Sequence, residues 1–249
     1  MSINHIKSKY FYFAHRGAPW VKDENTVSSF NKAIDLGCQG IEMDIQKTLD
    51  NYIIIFHDDH IMFENSIHQI SGLTYSTIKY MFKKKNKPAP PQFDTIIPTI
   101  KQNPDVIFNI EIKSTTLNNH VIIKHIKHKL TTNKVIDQCI VSSFNFFLLL
   151  QIKLFFNEAT TAFILGKKRL NPRKRLINKL IIQALNPNYI HANWKYLENK
   201  LLVWLQNKNI GVHVYTVNSM EIQHKMINRG INVFFTDNHT FYSNNISKD

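Results

Sequence analysis

The sequence predicts an α/β fold: a (β/α)8 TIM barrel with a small insertion after the second strand. Three observations point there. Eight short apolar runs alternate with longer amphipathic stretches along the chain. Alternation of that kind calls for parallel strands joined by crossover helices. Eight such units in 249 residues match the size of a closed eight-stranded barrel. A doubly wound open sheet is the architectural alternative that the same alternation allows.

The first run, "YFYFA" (10–14), leads straight into His15, Arg16 and Gly17. That is how a strand reads when it delivers polar chemistry to its own tip. "DENTVSSFNKAIDLG" (23–37) follows as a helix, with Asn25 or Thr26 as its cap and Gly37 as its stop signal. "GIEMDI" (40–45) is the second strand, and "NYIIIFHD" (51–58) adds an extra one, with Asp50 serving the turn before it. Residues 58–93 break the rhythm with a turn signal, one short helix and a lysine–proline stretch, and are read as the insertion. The remaining strands are 106–112, 138–143, 160–165, 188–192, 211–217 and 232–237. Helical patterns separate them; Phe146 and Phe147 open one of these and are expected in the core. Trp194 and Tyr196, after the sixth strand, are candidates to line the mouth. The whole chain, 1–249, is expected to be one domain.

Composition narrows the class. Hydrophobic residues make up 43% and charged residues 20%, which argues for a globular chain and against disorder. No apolar run reaches bilayer-spanning length. The N-terminus lacks a secretory pattern, so a cytoplasmic location is expected. Cys38 and Cys139 are far apart beside apolar segments and are expected to be reduced thiols. The net charge of +13 favours an anionic partner. The basic residues are spread along the chain, and nucleic acid is not the expected partner. Two basic runs, 83–87 and 166–175, fall on strand-to-helix connections. They would steer an anionic substrate inward or dock the protein on an anionic membrane surface; a solvated lysine-rich loop explains them equally well.

The chemistry concentrates on two strands. Glu42 and Asp44, two apart, share one face of their strand, while Ile41, Met43 and Ile45 take the other. The next strand repeats the design, with Asn109, Glu111 and Lys113 alternating with Phe108, Ile110 and Ile112. Carboxylates turned into a barrel are costly unless paired. Three converging from two strands suit one hard divalent cation, Mg²⁺ or Ca²⁺, and Lys113 is placed to meet an anionic substrate. A structural ion-pair network is the alternative. His15 and His57 both end apolar runs, where a parallel barrel builds its active site, and imidazoles suit general acid and base roles near neutral pH. Asp58 is placed to orient His57. Glu24 is read either as orienting Arg16 or as a first-turn carboxylate. His191 and His213 lie on the sixth and seventh strands and are read as core histidines before pocket ones.

The segments "AHRG", "ENT", "IEMDIQKTLDNYIIIFHDDHI", "NIEIK", "VSSFN", "VYTVN" and "FFTDN", in that order from about residue 13 to 238, resemble the glycerophosphodiester phosphodiesterase family. The resemblance implies a TIM barrel that hydrolyses glycerophosphodiesters to glycerol 3-phosphate and an alcohol, in lipid and glycerol metabolism, with one bound dication. It implies His15 and His57 as the acid/base pair, Glu42, Asp44 and Glu111 as metal ligands, and Arg16 and Lys113 as phosphate-binding cations. Two departures stand out. Asp23 sits where the family often has proline, and Tyr215 replaces a tryptophan, keeping an aromatic wall against the substrate but adding a hydroxyl. Lysophospholipase D-type hydrolysis and a non-catalytic barrel that binds an anionic ligand are the competing readings.

Overall fold

The computed structural model describes residues 9–114, 116–167 and 175–243. The chain begins with β1 (Phe11–Ala14), α1 (Val27–Asp35) and β2 (Gly40–Lys47). The extra strand β3 (Ile53–Ile55) follows, then the insertion with β4 (His60–Phe63), β5 (Ser66–Gln69) and α2 (Tyr75–Lys84), and after it α3 (Ile97–Gln102). Regular alternation then resumes with β6 (Ile107–Ile112), α4 (His120–Thr132), β7 (Cys139–Ser143), α5 (Phe146–Phe155), β8 (Thr160–Leu165) and α6 (Arg175–Leu185). It continues through β9 (Tyr189–Asn193), α7 (Asn199–Gln206), β10 (Gly211–Tyr215), α8 (Met220–Ile227), β11 (Val233–Thr236) and α9 (Thr240–Ser243).

Eight strands close a parallel barrel in the order β1-β2-β6-β7-β8-β9-β10-β11, with β11 returning to β1. β3 pairs antiparallel with the far end of β2, and β4 and β5 form a separate hairpin. The fold is a (β/α)8 TIM barrel with an insertion after its second strand.

Side-chain alternation gives the barrel two apolar volumes, and Ile54, Ile61, Ile70, Ile78 and Met81 form a third under the insertion. Tyr12, Ala14, Ile41, Met43, Ile45, Phe108 and Ile110 point outward and pack under the helices in the main core. Phe11, Phe13, Ile107, Ile140, Ala162, Val233 and Phe235 fill the barrel floor. Phe13 and Phe235 stack there with centroids 4.7 Å apart. Gly40 makes this packing fit, because a Cβ there would lie 2.4 Å from the Phe13 ring. β1 thus sends Phe11 and Phe13 inward, and the same two-residue period brings His15 to the inside at the strand's tip.

The helices follow the predicted stretches. Thr26, not Asn25, caps α1, accepting the Ser29 amide. Asn145 and Ser219 cap α5 and α8 in the same way. Asp50 serves its turn by accepting from Thr48 Oγ1 at 2.7 Å, and it also accepts the Tyr75 amide at 2.9 Å. Phe147 is more than half exposed at the start of α5, so only Phe146 packs against the core. Trp194 and Tyr196 also pack against the helix-side core, and Trp194 Nε1 donates to the Thr216 carbonyl. Cys38 and Cys139 are buried free thiols, held protonated by that burial. Among the described residues no helix is long and apolar enough to cross a membrane.

Candidate active site

The site occupies the C-terminal mouth of the barrel, in a cavity of about 170 Å³. Its acidic wall comes from strand register. Asp44 on β2 stands beside Glu111 on β6, and Glu42 stands beside Asn109. One oxygen from each of Glu42, Asp44 and Glu111 lies within 4.8 Å of the others. Glu42 and Asp44 are 3% and 2% exposed.

These three carboxylates are not equivalent. Burial pushes the Glu42 carboxyl well up, and the charges of Asp44 and Glu111 push it further. Burial and Asp44 raise Glu111 to about 7. Burial acts on Asp44 too, but Lys113, His57, the Asn25 hydrogen bond and Arg16 outweigh it and hold Asp44 below the usual carboxylate range. Lys113 Nζ is 3.3 Å from Asp44 Oδ1 and 3.6 Å from Glu111 Oε1, and that Glu111 oxygen has no hydrogen-bond partner. A set of oxygen donors with net negative charge and an unpartnered buried carboxylate oxygen fits a hard dication.

Two loops complete the wall. After β1 the chain turns sharply, and Arg16 adopts a left-handed φ of 57°. Gly17 follows at φ 89°, where a Cβ would strike Ser29 at 2.5–2.9 Å. The turn aims the Arg16 amide at Glu42 Oε2, 2.9 Å away. It also sets the guanidinium between Asp44, 3.4 Å from Nε, and Glu24, whose two oxygens accept from one nitrogen at 3.0 and 3.1 Å. Glu24 precedes α1, so it acts as a partner of Arg16 and not as a first-turn carboxylate. Asn25, also left-handed at φ 56°, is buried and clasps Asp44 twice: its Nδ2 donates to Oδ2 at 2.9 Å, and its Oδ1 accepts the Asp44 amide at 3.1 Å. These bonds hold Arg16 and Asn25 in their left-handed conformations.

Each histidine has a carboxylate behind it. His15 Nδ1 donates to Asp237 Oδ1 at 2.7 Å, leaving Nε2 on the cavity side, 3.9 Å from Glu42 Oε2. Asp237 accepts from Asn218 as well, and His15 and Asn218 hold its carboxyl low despite burial. His57 Nδ1 donates to Asp58 Oδ1 at 2.8 Å. Gln46 fixes the His57 segment, donating to the Phe56 carbonyl at 2.9 Å and the Asp58 carbonyl at 2.7 Å. Tyr215 and Phe144 form an aromatic side of the cavity, in edge contact 6.5 Å apart, and the Tyr215 hydroxyl donates to the Leu165 carbonyl.

The eight residues singled out from the sequence, His15, Arg16, Glu42, Asp44, His57, Glu111, Lys113 and Tyr215, all line this one cavity. Asp237, Asn218, Gln46 and the clasp by Asn25 were not anticipated. Asp237 follows an apolar run just as His15 does, and that signal was available; Asn25 was read as a cap before a ligand.

A cavity with three clustered acids, two cations and two oriented imidazoles at the C-terminal end of a closed barrel is suited to a phosphate ester. Residues 15–240 match the glycerophosphoryl diester phosphodiesterase family. The chain belongs to that family, and with it to the phosphoric diester hydrolases. It is 24% identical over 235 residues to a glycerophosphodiester phosphodiesterase of Caldanaerobacter subterraneus subsp. tengcongensis, covering 92% of this chain and 94% of that one. The glycerophosphodiester phosphodiesterase of Thermotoga maritima superposes with a TM-score of 0.72 at 22% identity, over 96% of this chain and 99% of that one. An Oleispira antarctica phosphodiesterase solved with the product sn-glycerol-3-phosphate gives the same TM-score at 18% identity, over 96% and 97%.

Proposed function

We propose that the protein hydrolyses glycerophosphodiesters to glycerol 3-phosphate and an alcohol, with one dication held by Glu42, Asp44 and Glu111 and with His15 and His57 as the acid/base pair. One observation carries this reading: the three carboxylates gather within 4.8 Å in the cavity that both histidines line. A phosphodiester is anionic and repels a nucleophile until its charge is offset. Glu42, Asp44 and Glu111 would hold Mg²⁺ or Ca²⁺, which would supply further positive charge to offset that of the phosphate. Arg16 and Lys113 bind the non-bridging oxygens from the protein side and stabilise the charge that grows on them. Burial works against the charge on both, but the surrounding carboxylates prevail and hold them firmly cationic. With Nδ1 donating to Asp237 or Asp58, each imidazole keeps Nε2 for proton transfer. One takes a proton from the attacking oxygen, and the other gives one to the departing alkoxide. Asn25 keeps Asp44 in place, and Glu24 orients Arg16.

Purified protein assayed on glycerophosphocholine, glycerophosphoethanolamine and a lysophospholipid tests the reading. Turnover of the first two, lost on chelation and restored by Mg²⁺ or Ca²⁺, is the expected result. Turnover of the lysophospholipid alone would favour the lysophospholipase D reading.

An anionic membrane surface is a second partner in this reading. The sequence between Glu158 and Glu198 carries eight Lys/Arg and no acid. α6 in that stretch leaves Leu176, Ile177 and Leu180 exposed, the pairing of apolar face and basic flank that suits an interfacial helix. Of the basic run 166–175, residues 168–174 lie outside the described residues.

A further inference from the structure

A second cavity, of about 560 Å³, adjoins the site, and Lys113 lines both. One wall is the insertion, through Gln69 at the end of β5 and Ser71 just after it. The other is the loop between β6 and α4, through Ser114, Thr116, Asn118 and Asn119. Gln46, two residues beyond Asp44 on β2, lines it as well, and the same side chain holds the His57 segment. The cavity thus touches both a phosphate-binding cation and the support of a catalytic imidazole.

Its walls are fixed in advance. Asn119 is buried; its Oδ1 accepts from Ser114 Oγ, and its Nδ2 donates to the Thr116 carbonyl at 3.2 Å. Gln151 on α5 accepts the Asn119 amide at 3.1 Å and donates to the Leu117 carbonyl at 2.6 Å. Asn145, the cap of α5, donates to the Ser114 carbonyl at 3.0 Å. Across the cavity, fully buried Ile70 anchors the insertion wall, and its amide donates to the Asp59 carbonyl at 2.9 Å. A ligand that enters between fixed walls costs little ordering of the protein.

The lining restricts that ligand. Its charged groups are already engaged. Lys113 faces Asp44 and Glu111, Lys47 donates to Asn51 at 3.0 Å, and Asp59 accepts from His60 at 2.6 Å. Gln69, Ser71 and Asn118 are exposed and uncharged. Their amides and hydroxyl both donate and accept, as the hydroxyls of a polyol do. Among the described residues that line the cavity there is no aromatic ring to hold a quaternary ammonium. Val121 and Ile122 are too little apolar surface for an acyl chain. A phosphodiester held at Lys113 has two ester arms and needs room for both. The mouth, at about 170 Å³, suits one small arm, and the larger space begins at the same lysine.

We propose, resting on the glycerophosphodiester reading, that this second cavity seats the departing alcohol and favours head groups that are uncharged polyols over choline. The test compares kcat/KM for glycerophosphoinositol with that for glycerophosphocholine. Wild-type protein is expected to favour the inositol ester by about 10-fold, the scale of one or two net hydrogen bonds. Gln69→Leu/Asn118→Leu changes one exposed side chain on each wall and no residue of the proposed machinery. It is expected to bring the ratio to about one while kcat/KM for the choline ester stays within about 2-fold of wild type. Ser71→Ala deletes a single hydroxyl and should lower the ratio by about 3-fold. A wild-type ratio at or below one, or an unchanged ratio in both folded variants, overturns the head-group site and leaves the glycerophosphodiester reading standing. Turnover of neither ester by wild type overturns that reading and the head-group site with it.

Discussion

Two pairs of neighbouring strands treat ionisable residues in opposite ways. β2 and β6 turn Glu42, Asp44 and Glu111 into the barrel, where Arg16 and Lys113 stand against them. β9 and β10 turn His191 and His213 into the same barrel, where the rings stack 5.1 Å apart between Tyr189 and Phe235 and no charge partner among the described residues faces them. Burial is comparable in the two places, and the outcome differs. The acids form a charged cluster whose repulsion is only partly offset, ready for a cation. The histidines are driven neutral, His213 to about 3 and His191 well below its ordinary value. Partners, not depth, decide which buried ionisable groups stay charged.

The largest expected effect sharpens the charged side of that comparison. His15→Ala and His57→Ala should each fold and lose on the order of 10²–10⁴ in kcat, as removal of a general acid or base does. Asp237→Asn should cost roughly 10–100-fold. Because Asp237 acts through His15, the double variant Asp237→Asn/His15→Ala should be no slower than His15→Ala alone. Strictly additive losses in that pair would show that Asp237 has a separate role.

Stability separates the two strand pairs next. In the chelated protein Glu111 binds its proton more tightly folded than unfolded, since its carboxyl rises from an ordinary 4.5 to about 7. Between those values the folded state holds more protons, so stability falls as pH rises through the window. Glu111→Gln should flatten that decline and raise the melting temperature of the chelated protein at pH 7, about 2–4 °C for each kcal/mol relieved in a chain of this size. The same variant should be inactive. A melting temperature of chelated wild type that climbs relative to that of Glu111→Gln from pH 4.5 to 7 would contradict the repulsion argument. Other titrating groups are cancelled by comparing the two proteins.

The histidine side gives the opposite sign and the smallest effect near neutrality. With the His213 value depressed from 6.5 to about 3 by burial, the unfolded chain binds the extra proton. Stability from this group is therefore complete above about pH 6.5 and falls as pH drops toward 3. His213→Phe keeps an aromatic ring against Tyr189 and should remove that acid sensitivity. At pH 7 it should change stability by no more than about 1 kcal/mol. A pH dependence of melting identical to wild type would show that His213 does not titrate across folding.

The contrast also explains what was legible in the sequence. Short apolar runs marked every barrel strand, and on the second and third a period of two separated an apolar side, packed under helices, from an inward polar one. The same period put Glu42, Asp44 and Glu111 on a shared side, and the tips of apolar runs located His15 and His57. The hairpin β4–β5 was not legible. Its strands are four residues each; β4 buries only Ile61, and in β5 Ser66, Ile67 and Gln69 are exposed, so little alternation showed. Asn25 was misread because asparagine serves a helix start and a carboxylate clasp equally well, and only the left-handed turn after β1 brings it to Asp44. Asp237 and Asn218 come from strand ends far from His15 in sequence, and barrel closure is what brings them together.

The central claim is that three inward acids make a site for one dication on which activity depends. Calorimetric titration of the chelated protein with Mg²⁺ and with Ca²⁺, run beside the glycerophosphocholine assay, tests it most directly. The account predicts one binding site for at least one of the two ions, activity that rises with its occupancy, and loss of both in Glu111→Gln. Full turnover in the presence of excess chelator, or cation binding that survives in Glu111→Gln, would contradict it.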